Sequence, residues 1–246
     1  MTDIDLLAIG AHPDDVELSC GGWLALAGQR GQSAVVVDLS RGELATNGTV
    51  EVRAREAATA AEILGLSDRR NLGLPDGGIR VHDDVQVDAL VAEIRALRPG
   101  LLLAPHTEAR HPDHAEAGAL CRRAVFLAGL RQHRPDLGGP WRPRRTLHYP
   151  QRHEVRPDLV VDISSVVEVK ARAVAAHESQ FGTGDPTLIN RPLGLSAWDA
   201  RDRYWGASIG VGHGEPYLLG APVPVSDPIA HFTAHDDVPV LVPTRS

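Results

Sequence analysis

The chain has little of what marks a disulfide-built, membrane-spanning or nucleic-acid-binding protein. Its 246 residues include two cysteines, one methionine and only 4% aromatic residues. Cys20 and Cys121 form no Cys-x-x-Cys pair and are too few for a disulfide framework, so both are expected to be small core residues. Positive charge is scarce as well. Twenty-five Lys and Arg face 32 Asp and Glu, a net charge of -7, which argues against a general nucleic-acid or anionic-membrane surface. No apolar run approaches the roughly 18 residues of a membrane span. Asp3 and Asp5 give the N-terminus the wrong charge for a signal peptide, and the expected location is the cytoplasm. Internal repeats and low-complexity tracts are missing too.

What is present is an alternation of short apolar runs with helical periodicity. Residues 6–9 read as a buried strand that Pro13 stops, since proline has no backbone N–H to donate. Val16, Cys20, Trp23, Leu24 and Ala27 follow at helical spacing and Gly31 closes the segment. Residues 34–39 form a second strand, Thr49 caps a helix over 51–64, and Gly65 ends it. A short strand starts at Leu72 and turns at Pro75-Asp76-Gly77-Gly78; a helix through Val87, Leu90, Val91, Ile94 and Leu97 stops at Pro99-Gly100. Another strand occupies 101–104 and a helix runs through Ala117, Leu120, Ala124 and Leu127. Residues 131–145 carry five arginines among Pro and Gly and read as a loop, either a solvated rim or an oligomer contact. A strand over 159–163, a capping box of Ser165 and Glu168 opening a helix to about Ala176, a loop over 182–195 and a helix over 197–209 complete the pattern. Such alternation predicts a Rossmann-like three-layer α/β/α sandwich with a mostly parallel sheet. Residues 1–246 form one domain in this reading, with about 216–246 as edge strands and a Pro-rich tail.

Two polar clusters stand where strands end. His12-Pro13-Asp14-Asp15 follows the first strand, and His106 to His111-Pro112-Asp113-His114 follows the strand at 101–104. Ligands in open α/β sheets bind at this edge. A catalytic divalent metal takes three ligands from imidazole and carboxylate and keeps a position for water. His12 and Asp15 supply two from one loop, an imidazole of the second loop completes the set, and zinc or ferrous iron accepts it. Since a metal lowers the pKa of water towards about 7, the adjacent Asp14 is placed to take its proton.

The paired motifs resemble those of the LmbE-like, or PIG-L-type, metal-dependent N-deacetylases. The likeness runs over nearly the whole chain: Asn47-Gly48-Thr49 followed by Arg53 and Glu56, Leu74-Pro75-Asp76, Val161-Asp162-Ile163-Ser164, and Glu178-Ser179-Gln180-Phe181. Its extent, and Val16 between Asp15 and Glu17, point to the branch that acts in bacillithiol synthesis on N-acetylglucosaminyl L-malate. The resemblance implies His12, Asp15 and His114 as ligands of a divalent metal, zinc first and ferrous iron second, with Asp14 as general base and Arg53 as a substrate contact. It further implies that His111 stabilises the oxyanion or protonates the leaving amine with Asp113 orienting it, and that Arg110 is a second substrate contact. The implied partners are a small N-acetylated amino-sugar conjugate and further copies of the chain, with a hexamer as the candidate assembly. No tyrosine in the loop over 182–195 matches the one that some relatives bring to the acetyl carbonyl.

Other classes compete with this reading. Gly206-Ala207-Ser208-Ile209-Gly210 fits a nucleophile elbow, with Asp227 and His231 in serine-hydrolase order, but an elbow needs a buried strand before its serine and this segment reads as an exposed helix. A non-catalytic sugar or nucleotide module lacks its Gly-x-Gly-x-x-Gly and has no use for an unligated Asp14. His177 reads equally as a ligand contact or a helix-end residue, and Trp198, Tyr204 and Trp205 as core or interface residues.

Overall fold

The first apolar run forms β1 (Leu6–Gly10), and all five of its residues are buried because it lies between two parallel neighbours, β2 (Ala34–Ser40) and β4 (Leu101–Pro105). In the computed structural model, which describes residues 3–151, 155–188, 190–191 and 194–233, β3 (Asp68–Leu74), β5 (Arg145–Tyr149), β6 (Leu159–Asp162) and β7 (Gly214–Leu219) extend these into a seven-stranded sheet of order β3-β2-β1-β4-β5-β7-β6. The first five strands in that order are parallel, and β7 runs antiparallel to both its neighbours.

Side chains of β1 alternate between faces. Leu7 and Ile9 join a core under α3 (Asp84–Leu97) and α4 (Pro112–Ala128). Leu6 and Ala8 join one under α1 (Asp15–Gln29), α2 (Val50–Leu64) and α5 (Val167–Ala175). The expected three-layer sandwich is thus formed, with Cys20 and Cys121 buried in opposite layers. Three further helices, α6 (Glu178–Phe181), α7 (Ser196–Ser208) and α8 (Pro228–Thr233), lie beyond the repeating units. Among the described residues no helix is long and apolar enough to cross a membrane.

Caps follow the local chemistry in part. The Thr49 hydroxyl accepts the Val52 N–H, and Gly65 takes φ 70° after α2. Ser165 forms no capping box: α5 starts after a short 3-10 turn with Val166 at the N-cap and no side-chain capping bond. Three strands also differ from the sequence reading. β3 begins at Asp68 because its charged start is neutralised, Arg69 bonding Glu17 and Asp38. β5 emerges at the end of the arginine-rich loop, where no strand was expected. β7 is interior, not an edge; Pro216 is accommodated because the ladder to β5 involves only Leu218 and Leu219.

α1 departs from helical geometry at Cys20, with φ -137°. Glu215 of β7 accepts the N–H groups of Gly22 and Trp23 that follow the break, at 2.7 and 2.9 Å. A carboxylate at the start of the second helical half satisfies donors that the kink would leave unpaired. Lys170 and Tyr217 hold that carboxylate in turn.

Candidate active site

The chain leaves β1 for β2 on one side and later returns as β4 on the other, so the carboxyl ends of β1 and β4 form the switch point of the sheet. Both histidine motifs sit there. Ala11 accepts the Ser40 N–H and hydroxyl, which fixes the turn to β2, and Asp14 takes φ 122° just before α1. A non-glycine residue held there is strained, a feature that clusters at functional sites.

Asp14 caps nothing. Its Oδ2 faces Arg53 Nη2 at 3.1 Å instead. Asp15, one residue on, accepts the His12 N–H through Oδ2 at 2.9 Å, while its Oδ1 accepts the Gln151 amide at 2.8 Å and lies 3.2 Å from His114 Nε2. In the second motif Pro112 opens α4, where its missing N–H costs nothing. His111 is the N-cap, its Nδ1 accepting the Asp113 N–H at 3.2 Å. His114, on the first turn, projects towards His12, 3.2 Å from Nε2 to Nδ1.

His12, Asp15 and His114 therefore present one ligand atom each, all within 4.8 Å of one another. The charge balance favours a cation. Asp76 and Asp113 also reach His12 Nε2, at 3.0 and 3.3 Å, so three carboxylates surround one imidazole. Buried Asp113 Oδ1 has no hydrogen-bond partner among the described residues. Burial disfavours a charged His12, yet bonds with Asp113, Asp15 and Asp76 push its pKa up to about 12. Burial would likewise raise Asp15, but His114 and then His12 hold it well below the carboxylate range. Imidazole and carboxylate donors with surplus negative charge fit a divalent metal of the zinc or iron type.

The remaining groups have shifted pKa values. Burial, opposed by Arg53 and assisted by Asp15, raises Asp14 to about 6, near the range of an effective general base. Burial and the charges of His114 and His12 lower His111. With Nδ1 accepting a backbone N–H, neutral His111 carries its proton on Nε2 and serves as a hydrogen-bond donor. A cavity of about 60 Å³ joins these groups: Asp14, Asp15, Arg110, His111, His114 and Gln151 line it, with Leu18 and Trp198 as its apolar wall.

Seven of the eight singled-out residues surround this centre in different ways, and Arg110 stands exposed at the cavity. Asp113 hydrogen-bonds His111 through its backbone N–H, while its carboxylate bonds the Gly77 N–H, faces His12 and lies within 4.8 Å of a His111 ring nitrogen. Arg53 is buried and spends its contacts on Asp14, Pro13 and Gly42 rather than on Glu56, which instead holds Ser179. His177 is buried 3.4 Å from Glu17, and its charge acts on Asp14. Asp76 and Gln151 carried no assigned role; the Pro-Asp-Gly turn after β3 signalled the first, whereas nothing signalled the second without β5. Ser208 is no nucleophile: it ends α7 and donates to the Trp205 carbonyl. Asp227 caps Ala230, and the His231 side chain lies outside the described residues.

The family model described as "PIG-L: GlcNAc-PI de-N-acetylase" matches residues 7–125. The chain is 35% identical over 187 residues to diacetylchitobiose deacetylase of Thermococcus kodakarensis, covering 72% of this chain and 70% of that one. It is 29% identical over 222 residues to "Probable N-acetyl-alpha-D-glucosaminyl L-malate deacetylase 2" of Bacillus cereus, covering 81% and 96%. Among solved structures, the conserved protein TT1542 of Thermus thermophilus matches with a TM-score of 0.83 at 42% identity, over 90% of this chain and 97% of the other. Likeness of this extent, carried through the motif-bearing half and the fold alike, makes the chain a member of the PIG-L family and a hydrolytic N-deacetylase.

Proposed function

We propose that the protein removes the acetyl group from the 2-amino nitrogen of an N-acetylglucosaminyl conjugate, and that this conjugate carries L-malate. The observation that supports the reaction is the meeting of His12, Asp15 and His114 beside a raised Asp14 in one cavity. A divalent metal bound by the three ligands supplies Lewis acidity and a lowered water pKa. Asp14 takes the proton of the attacking water as its oxygen bonds to the acetyl carbon. His111 Nε2–H donates to the oxyanion that develops there, an interaction worth roughly 3 kcal/mol for one preorganised donor. When the C–N bond breaks, the amine takes the proton from Asp14, and acetate and free amine leave. Support for an anionic aglycone comes from Arg110, exposed at the cavity, and from the Bacillus cereus relative. We place the reaction in the cytoplasm and assign the chain a homo-oligomeric state, for which the exposed Tyr204 on α7 offers an apolar contact.

Amine release from N-acetylglucosaminyl L-malate, free N-acetylglucosamine and diacetylchitobiose, each with metal-loaded protein, tests both steps. Preference for the malate conjugate, with Asp14→Asn inactive, is the expected result. Turnover of diacetylchitobiose alone overturns the aglycone and leaves the chemistry; an active Asp14→Asn overturns the base.

A further inference from the structure

Away from the catalytic edge, a groove of about 290 Å³ opens between α4 and the segments around β5 and the end of β7. Arg122, Arg142, Arg144 and Arg145 line it together with His148, and no carboxylate does. Several arginines elsewhere in this acidic chain meet acid, among them Arg53 on Asp14, Arg69 on Asp38 and Arg98 on Asp3, while Arg80 and Arg95 bond backbone carbonyls. Among the described residues the four groove arginines have no carboxylate partner; Arg142 and Arg145 make hydrogen bonds only to the carbonyls of Phe126 and Arg144. Exposed arginines facing water would explain that much.

They do not explain His148. Its side chain belongs to a residue only 7% exposed. Nδ1 lies 3.0 Å from the Pro105 carbonyl, which only accepts, so Nδ1 carries the proton. Nε2 has no hydrogen-bond partner among the described residues, and a Cβ built on Gly220, itself a groove residue, would lie 3.9 Å from it. The ring of a largely buried residue thus turns an edge without a protein partner towards an arginine-lined groove.

We propose that this groove is a second ligand site, for a small phosphate-bearing molecule gripped by Arg122, Arg144 and Arg145, with His148 Nε2 on a phosphate oxygen. Guanidinium groups match phosphate oxygens in paired bonds. The volume lies at the small end of metabolite pockets. His148 couples the site to pH. With Nδ1–H on a carbonyl, the neutral ring offers a lone pair at Nε2, which repels an anion, whereas the protonated ring donates. Burial, then His106 beyond β4 and Arg122 on α4, hold the His148 pKa down against its Pro105 bond, and Arg142, Arg144 and Arg145 are the other charged groups lining the groove. A bound anion offsets that field, so binding takes up a proton and tightens as pH falls.

Calorimetric titration of the whole protein with pyrophosphate, at ionic strength fixed by sodium chloride, reads the site. Saturable binding at one site per chain is expected, weakened about tenfold by Arg122→Ala and by Arg144→Ala, with deacetylation by these variants unchanged. Sulfate, which keeps its charge across neutral pH, is expected to bind more tightly at lower pH in the wild type and without that dependence in His148→Asn. Unsaturable heats, equal binding by the arginine variants, or an effect that sodium chloride reproduces overturns the proposal.

Discussion

Arg53 Nη2 stands 3.1 Å from Asp14 Oδ2, and the same nitrogen donates to the Pro13 carbonyl at 2.5 Å. One guanidinium thereby holds the carboxylate and the strained turn that carries it. Gly42 makes this possible: a Cβ there would lie 1.8 Å from Arg53 Nη1. Since the Arg53 charge lowers an Asp14 pKa that burial lifts to about 6, its removal leaves burial less opposed and the pKa rises further. In Arg53→Gln the acid limb of the kcat/KM profile is expected to move to higher pH, with about tenfold less activity on that limb for each unit of movement and about twofold less at pH 7 for the first unit. Arg53→Lys restores part of it. An unmoved profile with a raised KM would instead make Arg53 a substrate contact.

Asp76 reaches His12 from a different loop, through a carboxylate whose Oδ2 also accepts the Leu44 N–H at 2.9 Å. It orients a ligand without belonging to the His12, Asp15 and His114 group. Asp76→Asn keeps the shape and removes the charge, and the expected loss is about 10- to 100-fold in metal affinity. Titrating chelator-treated protein with zinc or ferrous iron checks this: activity should vanish on chelation and return in the variant only at higher metal. Equal metal requirements in both proteins would remove Asp76 from the site.

The candidate metal ligands were legible in two steps: strand ends place His12, Asp15 and an imidazole of the second motif at one edge, and the family resemblance singles out His114 among those imidazoles. The parallel half of the sheet was legible for the same reason, since Leu6–Gly10 and Ala34–Ser40 are apolar throughout. Other parts depend on pairings distant in sequence. Arg69 looks unsuited to a strand until Glu17 and Asp38 stand beside it. Gln151 cannot be placed before β5 is known, and β7 reads as an edge because Pro216 speaks against pairing, although only its β6 side is engaged there. Nothing in the sequence places Arg53, on a helix far along the chain, against Asp14 before the turn carrying that residue folds over it.

Glu17 is fully buried between Arg69 and His177. Burial raises its pKa, but Arg69 and then His177 outweigh it and bring the value from 4.5 to about 2. A carboxyl with a depressed folded-state pKa adds stability above its unfolded value and loses it as pH falls through the folded one. The contribution is about 3 kcal/mol, present at neutral pH and lost between about pH 5 and 2. Urea unfolding across that range should show this slope in the wild type and a shallower one in Glu17→Gln. Parallel slopes would show that the group titrates alike in both states.

Glu215 joins three elements through one buried carboxylate: the restarted half of α1 through Gly22 and Trp23, α5 through Lys170, and the Tyr217 hydroxyl on its own strand. Lys170 keeps Asp202 as a second partner at 2.6 Å, so truncation of Glu215 leaves the ammonium paired and the two backbone N–H groups exposed to an apolar interior. Each unsatisfied buried donor costs about 1–3 kcal/mol. With two such donors, Glu215→Ala is therefore expected to lose about 2–6 kcal/mol, read as a lower urea midpoint. Glu215→Gln keeps one acceptor oxygen and should recover part of that loss. Because these contacts lie behind the kink and touch no metal ligand, the folded fraction of either variant should retain metal affinity; a parallel loss of metal binding would mean that the kink at Cys20 also positions Asp15.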